Sequence, residues 1–191
     1  MPFNNLFQKT RQVGRKIVLP VDNIKTIITS ILVDIDVKAI IDFGAGTLFW
    51  SKWFYQKYRC RVLAVDLFYD ELIINDGVKC YKTLSDCFMN TQEITLAFTS
   101  DVLHHLSPSA VSGFLEEISE RINIIIIKDI DANYKFGNLL NKIHDRIINQ
   151  EKIWDIYPEK LSDQLKIKGF KTKYYFIPKL WYPHFILIGK K

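Results

Sequence analysis

Ile40-Ile41-Asp42-Phe43-Gly44-Ala45-Gly46-Thr47-Leu48 decides how the rest of the chain reads. Its first half is apolar and short, the pattern of a strand buried on both faces. Its second half puts two glycines where that strand turns into a helix, because Phe49, Trp50, Trp53 and Phe54 return at helical spacing. Glycine lets the backbone turn sharply there and come within contact distance of a ligand. A second apolar run, Arg61 to Val65, ends in Asp66, 20 residues beyond Gly46. A carboxylate at the end of a second strand, beside such a turn, can accept hydrogen bonds from both hydroxyls of a ribose.

Outward from this stretch the chain alternates between the two periods. Ile24, Ile27, Ile28, Ile31 and Leu32 form one apolar helical face, with Asp22 as the expected N-cap. Strands are expected at 37–43, 61–66, 78–81, 94–99 and 122–128, and two more at about 171–177 and 184–189, close enough to form an antiparallel hairpin. Ser107-Pro108 opens a helix, with Ser as cap and Pro at the first helical position. Further helices are expected near 136–149 and 158–168. Strands alternating with helices predict an α/β fold, a mostly parallel sheet covered on both faces. Ligands of such sheets bind outside the carboxyl ends of the strands, so function is expected in the loops after Phe43, Asp66, Tyr81, Thr99 and Lys128. No linker or repeat divides the 191 residues, which read as one domain, with 1–36 as a helical lead-in and 129–157 as an inserted helical segment.

The composition is that of a globular chain, 48% hydrophobic and 25% charged, and excludes a disordered tail, a collagen-like rod and a coiled coil. Ile124 to Ile127 is the longest aliphatic run, far short of the ~20 residues of a membrane span. The first residues have no apolar core of a signal peptide, and Cys60, Cys80 and Cys87 make no CxxC pair. Reduced thiols in a cytoplasmic protein and no cysteine-built metal site are therefore expected. The net charge of +5 is uneven: residues 1–20 carry four basic groups and no acid, and residues 165–191 carry seven lysines and no acid. Basic ends on an acidic middle can steer an anionic partner, or simply be solvated.

The glycine stretch resembles the first motif of the class I S-adenosylmethionine-dependent methyltransferases. Asp42-x-Gly44-x-Gly46 carries the acid two residues before the first glycine, and Asp66 matches that family's ribose-binding acid. Ser85-Asp86-Cys87-Phe88 is similar to the loop after strand three that holds the adenine. Thr99-Ser100-Asp101-Val102-Leu103-His104-His105-Leu106 is similar to the segment after strand four. The resemblance covers about Asp22 to Lys191 and departs where the third glycine would stand, at Leu48. It implies a Rossmann-like, doubly wound, seven-stranded sheet in three α/β/α layers with an antiparallel C-terminal hairpin. It also implies S-adenosyl-L-methionine as cofactor, held by Asp42, Gly44, Ala45, Gly46, Asp66, Leu67, Asp86, Cys87 and Ser100.

Such a site leaves the catalytic group less visible than the cofactor, since aligning nucleophile, methyl and sulfur supplies much of the rate. Three residues are candidates. His104 lies in the loop after strand four. Asp129, closing strand five in Lys128-Asp129-Ile130-Asp131, can orient or deprotonate a substrate hydroxyl. His144 sits on the edge of the apolar face formed by Phe136, Leu139, Leu140, Ile143 and Ile147, either as a core residue or pointing over the pocket. His184, beside Trp181 and Tyr182, reads as packing or as binding. No metal is expected, because local sequence positions only two acids, Asp129 and Asp131. The function that follows is O- or N-methyl transfer to a small molecule, such as a sugar-like or other biosynthetic intermediate, with anionic acceptors among the candidates. An RNA methyltransferase using the basic ends is the first alternative. It is disfavoured because strand four ends in Thr99-Ser100-Asp101-Val102 rather than an Asn-Pro-Pro-Tyr-type segment. A non-catalytic partner subunit is the second, favoured only by Leu48.

Overall fold

A computed structural model describes residues 21–69, 74–75, 77–89, 91, 93–144, 146, 153–177 and 183–191, with the side chains of Ile74, Asn75, Asn141 and His144 outside that description. The elements run α1 (Val21–Leu32), β1 (Ala39–Phe43), α2 (Phe49–Tyr58), β2 (Arg61–Val65), β3 (Ile74–Asn75), β4 (Val78–Tyr81), α3 (Leu84–Met89) and β5 (Leu96–Ser100). A short 3-10 turn (Leu103–His105) follows. Then come α4 (Pro108–Ser119), β6 (Ile124–Ile130), α5 (Lys135–His144), α6 (Pro158–Ile167), β7 (Lys171–Ile177) and β8 (His184–Lys190).

The sheet order is β3-β4-β2-β1-β5-β6-β8-β7. Strands β4, β2, β1, β5 and β6 are parallel; β8 runs antiparallel between β6 and β7, so β7 again points with the others. These seven strands are the expected doubly wound sheet with its reversed C-terminal strand. The two-residue β3, antiparallel to β4, adds an eighth that no periodicity announced.

The sheet alternates its side chains between two apolar layers, as a pleat must. Ile41, Leu63, Ala97, Ile125 and Ile127 face α3, α4 and α6. Ile40, Val62, Leu96, Phe98, Ile124 and Ile126 face α1 and α2, where Trp50 and Phe54 close on Phe98 at ring separations of 5.3 and 5.0 Å. All seven residues of β6 are buried, which its position inside the sheet requires. Several expectations shift: β1 begins at Ala39 rather than 37, and β5 runs over Leu96–Ser100 rather than 94–99. Asp22 lies inside the first turn of α1 rather than capping it, its carbonyl accepting from the Thr26 hydroxyl at 2.8 Å. The fifth strand runs two residues further, to Ile130, because Lys128 and Asp129 continue its pairing with β8. Among the described residues no helix is long and apolar enough to cross a membrane.

Candidate active site

The loops at the carboxyl ends of β1, β2 and β5 meet at one cleft. Gly44 and Gly46 both adopt the left-handed region, with φ of 73° and 51°. The turn is tied to β2: the N–H groups of Gly44 and Ala45 donate to the Val65 carbonyl at 2.8 and 3.2 Å. A Cβ on Gly44 would overlap the methyl carbons of Val102, so this glycine is required by protein packing. A Cβ on Gly46 would meet nothing nearer than the Gly44 carbonyl at 4.0 Å, so Gly46 borders open space, the cradle a ligand needs.

Asp66 joins the two loops. Its Oδ2 accepts the Gly46 N–H at 2.7 Å and its Oδ1 accepts the Phe68 N–H at 3.1 Å. Tyr69 donates its hydroxyl to the Gly46 carbonyl at 3.0 Å, and burial pushes its phenol up, so it stays a donor. Both peptide groups around Gly46 are thus held from the β2 side. Asp66 thus shapes the glycine turn, while each oxygen keeps a lone pair for a ligand.

Asp42 is buried and accepts the Ser51 hydroxyl at 2.5 Å, at the start of α2. It braces the turn from beneath, where a helix N-terminus favours negative charge. Ala45 is buried and Leu67 exposed at the loop after β2. Asp86 is half-buried in the first turn of α3, where the Thr83 hydroxyl donates to its carboxylate at 2.6 Å and accepts its N–H at 3.1 Å. The Cys87 thiol lies in the apolar layer beneath, pushed up to about 12 by burial, so only its backbone is available at this loop. Ser100 ends β5, its hydroxyl donating to Asp101 at 3.2 Å.

Across the cleft the polar groups are side chains from β5, β6 and β8. Lys128 and Asp129 are adjacent on β6 and wholly buried, so the pleat sends them to opposite faces. Asp129 accepts the N–H groups of Leu103 and His104 at 2.9 and 3.3 Å and the His104 ring Nδ1 at 2.5 Å, besides its neighbour's N–H. Asp129 has no exposed surface; it fixes the 3-10 turn and orients His104, itself 5% exposed. Lys128 pairs with both carboxylate oxygens of Asp101, and His184 Nε2 approaches Asp101 at 3.5 Å. Burial alone would raise the Asp101 carboxyl, but Lys128 and His184 together hold it well below the usual range. Burial first, then the Lys128 charge, pushes the His184 imidazole down, so it is neutral at pH 7. Asp131 shapes the turn into α5, accepting the Asn133 N–H at 2.9 Å. His144 ends α5, with its side chain outside the description; Trp181 and Tyr182 lie outside the described residues altogether.

No protein-family model and no curated protein matches the chain. Solved structures do. A SAM-dependent methyltransferase from Archaeoglobus fulgidus superposes with a TM-score of 0.69 at 16% identity, covering 89% of this chain and 94% of that one. The fold is that of the S-adenosylmethionine-dependent methyltransferases. A 1,6-didemethyltoxoflavin-N1-methyltransferase from Burkholderia thailandensis, solved with bound 1,6-didemethyltoxoflavin and S-adenosylhomocysteine, follows with a TM-score of 0.66 at 15% identity over 99% of this chain and 87% of that one. A magnesium protoporphyrin IX methyltransferase from Synechocystis, with S-adenosylhomocysteine bound, gives 0.64 at 12% identity over 89% and 82%.

Leu48 departs from the motif of the resembled family in residue type but not in backbone: it holds φ 63°, ψ 21°, the conformation a glycine takes most cheaply. Its side chain is buried among Trp50, Phe54 and α1, so it leaves the cleft clear. Asp101 was not singled out from the sequence. The signal for it was Lys128: a lysine ending a strand apolar on both faces needs a buried counter-charge.

Proposed function

We propose that this chain is a methyltransferase that takes its methyl group from S-adenosyl-L-methionine and delivers it to an oxygen or nitrogen of a small molecule. The observation that carries the reading is the Gly44–Gly46 turn with open space over Gly46 and the Asp66 carboxylate at its edge. Gly46 lets the donor's nucleoside approach the backbone, and Asp66 has lone pairs left for two ribose hydroxyls. Asp86 and the backbone at Cys87 border the adenine side, and Ser100 the opposite side. The donor supplies a sulfonium methyl; the chain supplies alignment and a site that excludes water. Similar folds act on a porphyrin and a toxoflavin precursor, which supports a small-molecule acceptor here. Leu48, which alone favoured a non-catalytic role, is buried in the apolar layer.

Calorimetry with S-adenosylhomocysteine tests this. Micromolar-range binding, with none for NAD, is expected; binding of NAD instead would overturn the reading. Asp66→Ala should cost about 2–4 kcal/mol of S-adenosylhomocysteine affinity, since bonds to a charged acceptor are worth ~1.5–3 each. It should also cost about 1 kcal/mol of stability, because the Gly46 and Phe68 amides lose their acceptor. A folded Asp66→Ala protein with unchanged affinity would refute the ribose assignment.

A further inference from the structure

Helix α5 (Lys135–His144) is turned opposite to an ordinary surface helix, which directs its apolar stripe to the core. Its contacts with the body are polar or small. The Asn138 side-chain amide donates to Asp155 Oδ1 at 2.6 Å, and Lys142 Nζ pairs with the same oxygen at 2.7 Å. Gly137 is buried, and a Cβ there would overlap the ring of Pro183, so the glycine lets the helix sit close to the chain just before β8. At 3.6 residues per turn, Gly137 and Asn138 lie about 130° to either side of the helix's apolar face. That face is Phe136, Leu139 and Ile143, which are 67%, 54% and 46% exposed and belong to neither apolar layer of the sheet. The entry turn fixes this orientation. The Asn138 N–H donates to the Tyr134 carbonyl at 2.9 Å, and the Tyr134 ring stacks on Phe176 at 4.3 Å.

We propose that the outward face of α5 docks the protein on an anionic phospholipid surface. Contiguous exposed apolar side chains mark an interaction site, and a helix with Phe and Leu on one face and basic groups beside it is the form that lies in a membrane interface. Charge selects the lipid. No residue of α5 is acidic, Lys135 is exposed about 70° to one side of the apolar face, and Arg146 is exposed just beyond the helix end. Long basic side chains placed there reach phosphates while the apolar residues enter the acyl boundary. Asp155, on the docked side, is taken by Asn138 and Lys142. The net charge of +5 adds a general attraction to anionic lipid. A second copy fits less well. Pairing two such faces would set basic groups together, and three side chains fall far short of the ~1,200 Å² that stable protein interfaces bury. Helix α5 follows β6 at the end of the sheet that carries the cleft, so docking holds that end at the surface. The proposal concerns where the protein works and goes beyond the reaction it performs.

Vesicle sedimentation of the full chain tests this, with vesicles of phosphatidylcholine alone or mixed equally with phosphatidylglycerol, at low ionic strength. Wild type should bind the mixed vesicles about tenfold or more tighter than the neutral ones, and Lys135→Gln should lose about fivefold. Phe136→Ser/Leu139→Ser should lose about tenfold or more on the mixed vesicles. Its melting temperature should stay within about 2 °C of wild type, because exposed side chains have little packing to lose. This double variant keeps every charge, so binding equal to wild type would show adsorption by net charge alone and overturn the proposal. A wild type that ignores the mixed vesicles would do the same. A markedly lowered melting temperature in the double variant would show the face covered by the protein's own chain, and a dimer that the variant converts to monomer would show it covered by a second copy; either overturns the proposal. A dye label locates the contact. Cys60, Cys80 and Cys87 are buried, so an environment-sensitive dye reacts selectively with Leu139→Cys. Its emission should shift to the blue on mixed vesicles, whereas a dye on Ile167→Cys, exposed on α6 at the other end of the sheet, should not shift. The reverse pattern would sink the assignment to α5. No methyl donor enters these measurements, so their failure leaves the methyltransferase reading standing.

Discussion

On the β1–β2 side of the cleft, the polar contacts are made by peptide groups: Gly44, Ala45, Gly46 and Phe68 each engage through their N–H, and one carboxylate, Asp66, joins two loops. On the β5–β6–β8 side, the contacts are made by buried charged side chains, with Asp101 on Lys128 and Asp129 on His104. The first construction depends on where glycines permit the backbone to go. The second depends on side chains brought together by strand register, each of which would be costly to bury alone. A contact made through backbone tolerates changes of side chain, whereas a buried charge cluster does not.

The contrast is tested most strongly at Asp129. Asp129→Ala should destabilise the fold by about 3–5 kcal/mol, since it strips a buried imidazole and two buried amides of their acceptor. Asp129→Asn, keeping one acceptor, should lose less. Urea unfolding measures both, and a near-neutral Asp129→Ala would remove the distinction between the two sides. Gly44→Ala should cost about 2–3 kcal/mol, combining left-handed strain with overlap on Val102, and Val102→Ala should recover part of it. Gly46→Ala should cost only about 1 kcal/mol of stability, yet weaken S-adenosylhomocysteine binding more than Gly44→Ala weakens it per unit of stability lost. Equal behaviour of the two glycines would break the assignment of one to packing and the other to the ligand.

A third test uses pH. The buried His184 has a lowered pKa, so below about 6.5 the unfolded chain takes up a proton that the native state resists, and stability should fall as pH falls through that range. Asp101, also lowered, contributes stability present above about pH 4 and lost as pH drops toward its native value. His184→Phe should flatten the first descent and only weaken the second, since Lys128 still lowers the Asp101 carboxyl. Thermal unfolding across pH 3–8 distinguishes them, and a His184→Phe protein with an unchanged profile would refute the first. The smallest effect belongs to Leu48→Gly. About 1 kcal/mol of relieved left-handed strain works against about 2 kcal/mol of lost apolar burial, so a net loss near 1 kcal/mol is expected by chemical denaturation.

The sequence carried the fold well where periodicity and punctuation agree. Val78–Tyr81 and Lys171–Ile177 match the expected spans, and Ser107 caps α4 as expected, accepting the Ala110 N–H at 3.2 Å. The glycine turn and Asp66 were legible because their signal is local spacing. The burial of Asp129 and its contacts to His104 were not legible, because sequence gives a strand's end but not which face each terminal residue takes. Asp101, Lys128 and His184 are 27 and 56 residues apart along the chain, and their meeting depends on the registers Ser100 with Lys128 and Ile130 with His184. Nothing in composition or period encodes those registers. The left-handed turn at Asp101 is equally silent, since the residue there is not a glycine.

The place of β8 has a consequence for how the protein is made. It is late in the chain yet interior in the sheet, lying between β6 and β7. On a ribosome, every other strand emerges before it. Until residues 184–190 leave the exit tunnel, β6 presents an unpaired apolar edge, the condition under which nascent chains associate wrongly. Lys128 meanwhile waits without the imidazole that closes its cluster. The buried charge cluster and the sheet are therefore completed by the same late event, and a stalled or truncated product would carry the glycine turn without the Asp101–Lys128–His184 cluster.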